Sequence, residues 1–165
     1  MVQVRVAGVA LDQTGQHVVL LKPVDEIPGE GRVLPIWIGQ LESTSILVAI
    51  EGAEVPRPLA HDLMRSMLDS LGAELIRAEV TRIDDGTFYA ELTVRTADGV
   101  VAIDSRPSDA VALAARVGAP LHVAQAVLDE AGVPDVLTDA GEEAANSMSE
   151  FKEFLDDVEP EDFNG

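Results

Sequence analysis

Three alternating runs joined by two Asp-Gly turns constrain this chain more than any other feature. Residues 75–83, 87–95 and 100–104 alternate apolar with polar side chains, the period of a half-buried strand. Asp84-Asp85-Gly86 and Ala97-Asp98-Gly99 lie between them and supply residues that tolerate the positive φ of a tight hairpin turn. The expectation is a meander of three antiparallel strands. It runs directly into Asp104-Ser105-Arg106-Pro107-Ser108-Asp109-Ala110, where the period becomes helical. Proline at the first helical position has its φ already set and lacks an N–H that would have no partner there. Arg106 thereby becomes the N-cap, a position that favours Asp, Asn, Ser and Thr, and Asp109 the third helical residue. Arg57-Pro58-Leu59-Ala60-His61-Asp62 has the same form, so two helices are expected to open on an arginine.

The remaining elements come from periodicity and punctuation. Residues 2–10 and 16–21 read as a hairpin turning at Asp12-Gln13-Thr14-Gly15, followed by a Pro- and Gly-rich loop over 23–31. Residues 33–39 are a short or edge strand because Pro35 has no N–H to give a central ladder. Helices are predicted over 41–50, closed by Gly52, and over 58–71, closed by Gly72. A third covers 107–117 and is closed by Gly118, a short apolar segment spans 120–123, and a brief helix covers 124–131. Strands with segregated helices make an α+β fold, one compact domain over residues 1–132.

Charge separates that domain from the C-terminal segment. The chain of 165 residues carries a net charge of −19. Residues 129–165 hold 13 acids and one base, leaving −7 on residues 1–128. Residues 133–165 are therefore read as an acidic tail, in part disordered, with a helix over 147–158 where Phe151, Phe154, Leu155 and Val158 share a face. There is no cysteine, which excludes disulfides and thiol chemistry. No apolar run reaches the roughly 18–20 residues needed to span a bilayer, and the first residues do not resemble a secretion signal. A cytoplasmic protein without membrane contact is expected. Nucleic-acid binders ordinarily show a basic face, so an acidic body opposes tight duplex binding unless a divalent metal or a local basic pocket helps. Trp37, between Ile36 and Ile38, is assigned to the core, with stacking on a base of a single-stranded substrate as its alternative. His17 and His122 are read as structural, and Glu91 with Arg95 as a solvated pair on one strand.

Leu34-Pro35-Ile36-Trp37-Ile38-Gly39 with Glu42, then Arg57 to Met64, then Asp84 to Ala90 leading to Asp104 to Ala110, resemble in this order the bifunctional nuclease domain family, over roughly residues 2–130. The resemblance implies a mixed, curved sheet packed by helices and hydrolysis of DNA and RNA. The chain departs from the family at Ser43, Ser45 and Ser105, where alanine is usual; the charged positions are kept.

A nuclease of this kind would use Mg²⁺ or Mn²⁺ held by carboxylates, a cation on the phosphate and a group that activates water. Asp104, Asp109 and Glu42, with Asp62, are the candidate metal ligands. Arg57 and Arg106 are the candidate phosphate contacts beside helix N-terminal amides, and His61 the group that orients or deprotonates water. The same residues also fit a purely architectural network in which Asp109 meets the helix dipole and Arg106 bridges Asp104 or Asp62. Two other functions stay open: a noncatalytic module that binds an anion or a protein, and a homo-oligomer built through an exposed sheet edge.

Overall fold

The computed structural model describes residues 1–135, so most of the acidic tail, with the helix expected over 147–158, lies outside the described residues. Strands β1 (Val2–Leu11), β2 (His17–Pro23) and β3 (Arg32–Trp37) lead into helices α1 (Gln40–Glu51) and α2 (Ala60–Ser70). The meander comes next as β4 (Glu74–Asp84), β5 (Thr87–Thr96) and β6 (Gly99–Ser105), and runs into α3 (Pro107–Val117). Strand β7 (Leu121–Val123), helix α4 (Gln125–Ala131) and the two-residue β8 (Val133–Pro134) complete the fold.

One mixed sheet holds all eight strands in the order β6-β5-β4-β7-β1-β2-β3-β8. Two antiparallel halves, β4 to β6 and β1 to β3, are joined by β7, which pairs parallel with β4 and antiparallel with β1. Asp85 and Gly86 have φ of 47° and 75°, the two left-handed residues that a tight turn between twisted strands requires.

Helix α3 lies across β4 and β5, with α1 and α2 against it. That position explains its composition. Five consecutive residues, Ala110 to Ala114, are buried, and the three alanines among them let a sheet and two helices close in on several sides. Val111 packs there with Val80, Leu92 and Leu121 in the main core, and burial of a valine of this kind is worth about 2 kcal/mol. Gly52 and Gly118 end α1 and α3 at φ of 62° and 71°.

The chain closes on itself at its described end. β8 pairs with β3, and the Asp135 carboxylate accepts bonds from the buried Lys22 ammonium at 2.6 Å and from the Gly29 N–H at 3.0 Å. The packed chain thus runs three residues beyond 132.

Three expectations are corrected. Helix α2 starts at Ala60 with Leu59 as N-cap, so Arg57 and Pro58 precede the helix; the Asp62 carboxylate accepts the Leu59 N–H at 2.8 Å and fixes the start there. Trp37 is not core but 54% exposed, because it is the last residue of β3 and points away from the side occupied by Leu34 and Ile36. Arg95 pairs across strands with Glu74 at 2.6 Å rather than along its own strand with Glu91. Phe88 packs against the core while Tyr89 lies under the Arg82 guanidinium, 3.7 Å from the ring centre.

Candidate functional site

The turn from β6 into α3 places Arg106 at the N-cap, with extended backbone (φ −72°, ψ 145°) and no side-chain cap. Its guanidinium is held on two sides. Nε and Nη2 donate to Asp109 Oδ2 and Oδ1 at 2.7 and 3.1 Å, and Nη1 donates to Glu42 Oε1 at 3.0 Å. Among the described residues three of the five N–H donors of a guanidinium are thereby used and two are not, on a side chain that is 65% exposed.

Behind Asp109 the network passes into the interior. His61 Nε2 lies 2.9 Å from Asp109 Oδ1, and His61 Nδ1 lies 2.6 Å from Ser45 Oγ. An ionised carboxylate only accepts, so Nε2 carries the proton toward Asp109, and in the neutral ring Nδ1 accepts the Ser45 hydroxyl. Glu42 and Ser45 stand three apart on α1, on one helix face. The chain Glu42–Arg106–Asp109–His61–Ser45 therefore begins and ends on α1 and ties α1, α2 and α3 together. His17 Nδ1 and Ser43 Oγ, 3.0 Å apart, make a second His–Ser pair from β2 to α1.

Electrostatics follow the bonds. Burial alone would push the Asp109 carboxyl up, but the Arg106 guanidinium and the His61 N–H outweigh it and hold the group below the usual carboxylate range. The bond to Asp109, then that to Glu42, pushes Arg106 further up against the opposing effect of burial. Asp62 is likewise lowered against burial, by Arg116 and the Leu59 N–H.

Of the residues singled out from sequence, Arg106, Asp109, His61 and Glu42 are brought together. Asp62 is next to His61 in the chain but turns to the buried Arg116, whose Nε donates to it at 2.7 Å. Asp104 lies on the other side of the sheet: Leu92 pairs with Ile103 and Glu91 with Asp104, and the alternation that puts Leu92 in the core puts Asp104 away from the helices. Arg57 is exposed ahead of α2 and outside the network. His61 is 5% exposed with both ring nitrogens bonded, an arrangement that holds Asp109 in place.

The carboxylates proposed as metal ligands do not fit that task as arranged. Among the described residues no group of three or more His, Asp or Glu side chains is placed to hold a metal ion. Asp109 and Glu42 face a guanidinium, and Asp104 is on the opposite face.

Sequence reasoning misses Ser45 as a member of the site, although a buried hydroxyl in the apolar run Ile46-Leu47-Val48 is a polar group that needs a partner. The missed cleft is more telling. A depression of about 630 Å³ is lined by His17, Trp37, Gly39, Phe88, Arg106 and Ser108 among others, bringing the exposed Trp37 and Arg106 to one opening.

No helix among the described residues is long and apolar enough to cross a membrane. The chain is similar over nearly its whole length to the uncharacterized protein Rv1829 of Mycobacterium tuberculosis, 44% identical over 170 residues that cover 99% of this chain and 98% of that protein. It is 30% identical to Bifunctional nuclease 1 of Arabidopsis thaliana over 115 residues, 68% of this chain and 34% of the plant protein. Bifunctional nuclease 2 of the same plant is 31% identical over 98 residues, 58% of this chain and 30% of its own length. The chain thus spans about a third of the plant proteins it matches. The sequence profile of the bifunctional nuclease domain matches residues 19–135, from β2 to the Asp135 closure and including every residue of the Arg106 network: the chain belongs to the bifunctional nuclease domain family.

Proposed function

We propose that the chain hydrolyses phosphodiester bonds of DNA, RNA or both, with Arg106 as the group that meets the phosphate. The observation that carries this is the guanidinium held by two carboxylates on the lip of an open cleft, with two N–H donors unused among the described residues. Donors held in place before the substrate arrives stabilise the charge that builds on non-bridging oxygens without paying for reorganisation. Pro107 and Ser108, the start of a helix with no side-chain cap, line the same cleft and add the positive end of the helix dipole. Asp109 and Glu42 aim Arg106; His61 and Ser45 aim Asp109.

Water activation falls to Glu42. Oε1 is bonded to Arg106, while Oε2 has no hydrogen bond among the described residues and occupies space that a side chain on Gly39 would fill. It is the carboxylate oxygen of the network free to accept a proton. Dependence on Mg²⁺ or Mn²⁺ belongs to this proposal as an external requirement, and neither Arg106 nor Glu42 needs the ion for the role given to it.

The test is incubation of the purified chain with single-stranded DNA and RNA in Mn²⁺ or Mg²⁺, with and without chelator. Shortened products that vanish with Glu42→Gln, in a protein that still melts normally, support the proposal. Intact substrate under every condition sinks it. Because both neighbouring carboxylates are engaged by Arg106, a noncatalytic anion-binding module is the second reading, and it predicts retention of a phosphate ligand without cleavage.

A further inference from the structure

Trp37 is exposed, yet it is held rigidly. Its Nε1–H donates to Asp12 Oδ2 at 2.9 Å. The other oxygen of Asp12 accepts from the Thr14 N–H, the Thr14 hydroxyl and the Gln16 N–H at 2.8, 2.7 and 2.9 Å. Four donors on one carboxylate brace the turn between β1 and β2 and tie the indole to it by its Nε1–H. They also hold Asp12 well below the usual carboxylate range, the Thr14 hydroxyl contributing most, so the anchor stays ionised at neutral pH.

An anchored indole whose one polar atom is already bonded offers a ligand only its π face. Stacking on an aromatic face suits any base and involves no charge. The same cleft carries Arg106 as its one Arg or Lys side chain. Resting on the nuclease reading of this cleft, we infer that Trp37 is a stacking platform for an unpaired nucleobase, Asp12 its positioning residue, and Arg106 the contact to an adjoining phosphate. The ligand class is single-stranded nucleic acid, because bases inside a duplex do not present their faces. Recognition by one stack and one cation suits a protein of net charge −19, whose overall charge opposes binding through many phosphate contacts.

Trp37 is the sole tryptophan, so the emission of the unmodified protein reads the site directly. The probe is a thymidine hexanucleotide titrated in chelator, so that nothing is cleaved, with fluorescence anisotropy of a labelled strand followed in parallel. The strand should quench Trp37 to saturation, while the same sequence in a blunt duplex leaves emission unchanged. Trp37→Ala should weaken strand binding about tenfold, and Trp37→Phe should recover most of it. Asp12→Ala should weaken binding with Trp37 still present. The logarithm of the binding constant should fall with the logarithm of salt at a slope near about −0.7, that of one phosphate contact to a single strand. Binding without quenching, equal quenching by duplex, or unchanged affinity in Trp37→Ala overturns the inference. The separate cleavage assay keeps the two ideas apart: cleavage without quenching leaves hydrolysis and removes the platform, and quenching without cleavage does the reverse.

Discussion

Arg106 sits where a capping side chain is expected, and its neighbours put that position to another use. The cap is forgone and the guanidinium is instead clamped between Asp109 and Glu42. Because the folded-state value of Asp109 is lowered from 3.8, its contribution to stability is complete above that value and is lost as pH falls through the folded value beneath it. The stability gap between the native chain and Asp109→Asn should therefore shrink below about pH 3.8, read by urea unfolding. A gap that does not shrink there would contradict the assignment. Gly39 gives a second prediction. A Cβ there would lie 2.2 Å from Glu42 Oε2, the end of a flexible side chain, so Gly39→Ala should displace the carboxylate and lower cleavage about tenfold or more, while the melting temperature stays within a few degrees. A normal rate with the carboxylate displaced would remove Glu42 from the proposed chemistry. The residues of this network are legible one by one, since Pro107 marks Arg106 as a cap and Asp109 as a first-turn acid. Their convergence is not, because the Ser45 and His61 partners lie on other helices and no local spacing encodes that approach. Trp37 defeats sequence reasoning for a related reason: apolar neighbours in sequence become opposite faces in a strand.

Elements are more legible than contacts. Turn residues with forced positive φ, such as Asp85, Gly86, Gly52 and Gly118, fix their positions through backbone sterics alone, and the meander and the helix ends result from them. The start of α2 is set by a different force. Pro58 looks like a first helical residue, but the Asp62 carboxylate captures the Leu59 N–H and moves the start two residues on. That carboxylate also pairs with Arg116, whose side chain is 3% exposed. Asp62→Ala should thus cost about 3 kcal/mol, since it strands a buried charge in addition to losing a cap. A loss below about 1 kcal/mol in denaturant unfolding would mean that Arg116 finds another partner. The central place of β7 is not legible. Three residues are too short to announce a strand, and their parallel pairing with β4 depends on α3 crossing the sheet first.

For the whole molecule, charge and closure set the terms. The family match ends at residue 135, where Asp135 neutralises Lys22, a lysine 1% exposed. A chain ending at residue 131 should accordingly be less stable than one ending at residue 135 by about 3 kcal/mol or more, because the shorter one leaves that ammonium buried without its carboxylate. Equal stabilities would place the domain boundary at α4. The acidic balance of the composition argues against nucleic acid, and it is the strongest constraint on the proposed binding mode, which relies on one guanidinium and one exposed aromatic face. Arg106 is the point at which fold, electrostatics and proposed chemistry meet. The most direct measurement is the initial rate of single-strand cleavage by Arg106→Ala against the native chain, with thermal unfolding confirming that both are folded. The predicted result is a loss of about a hundredfold or more, the scale for removing an aimed donor from a developing oxyanion; a rate within about twofold of the native chain would contradict the assignment of Arg106 to the phosphate.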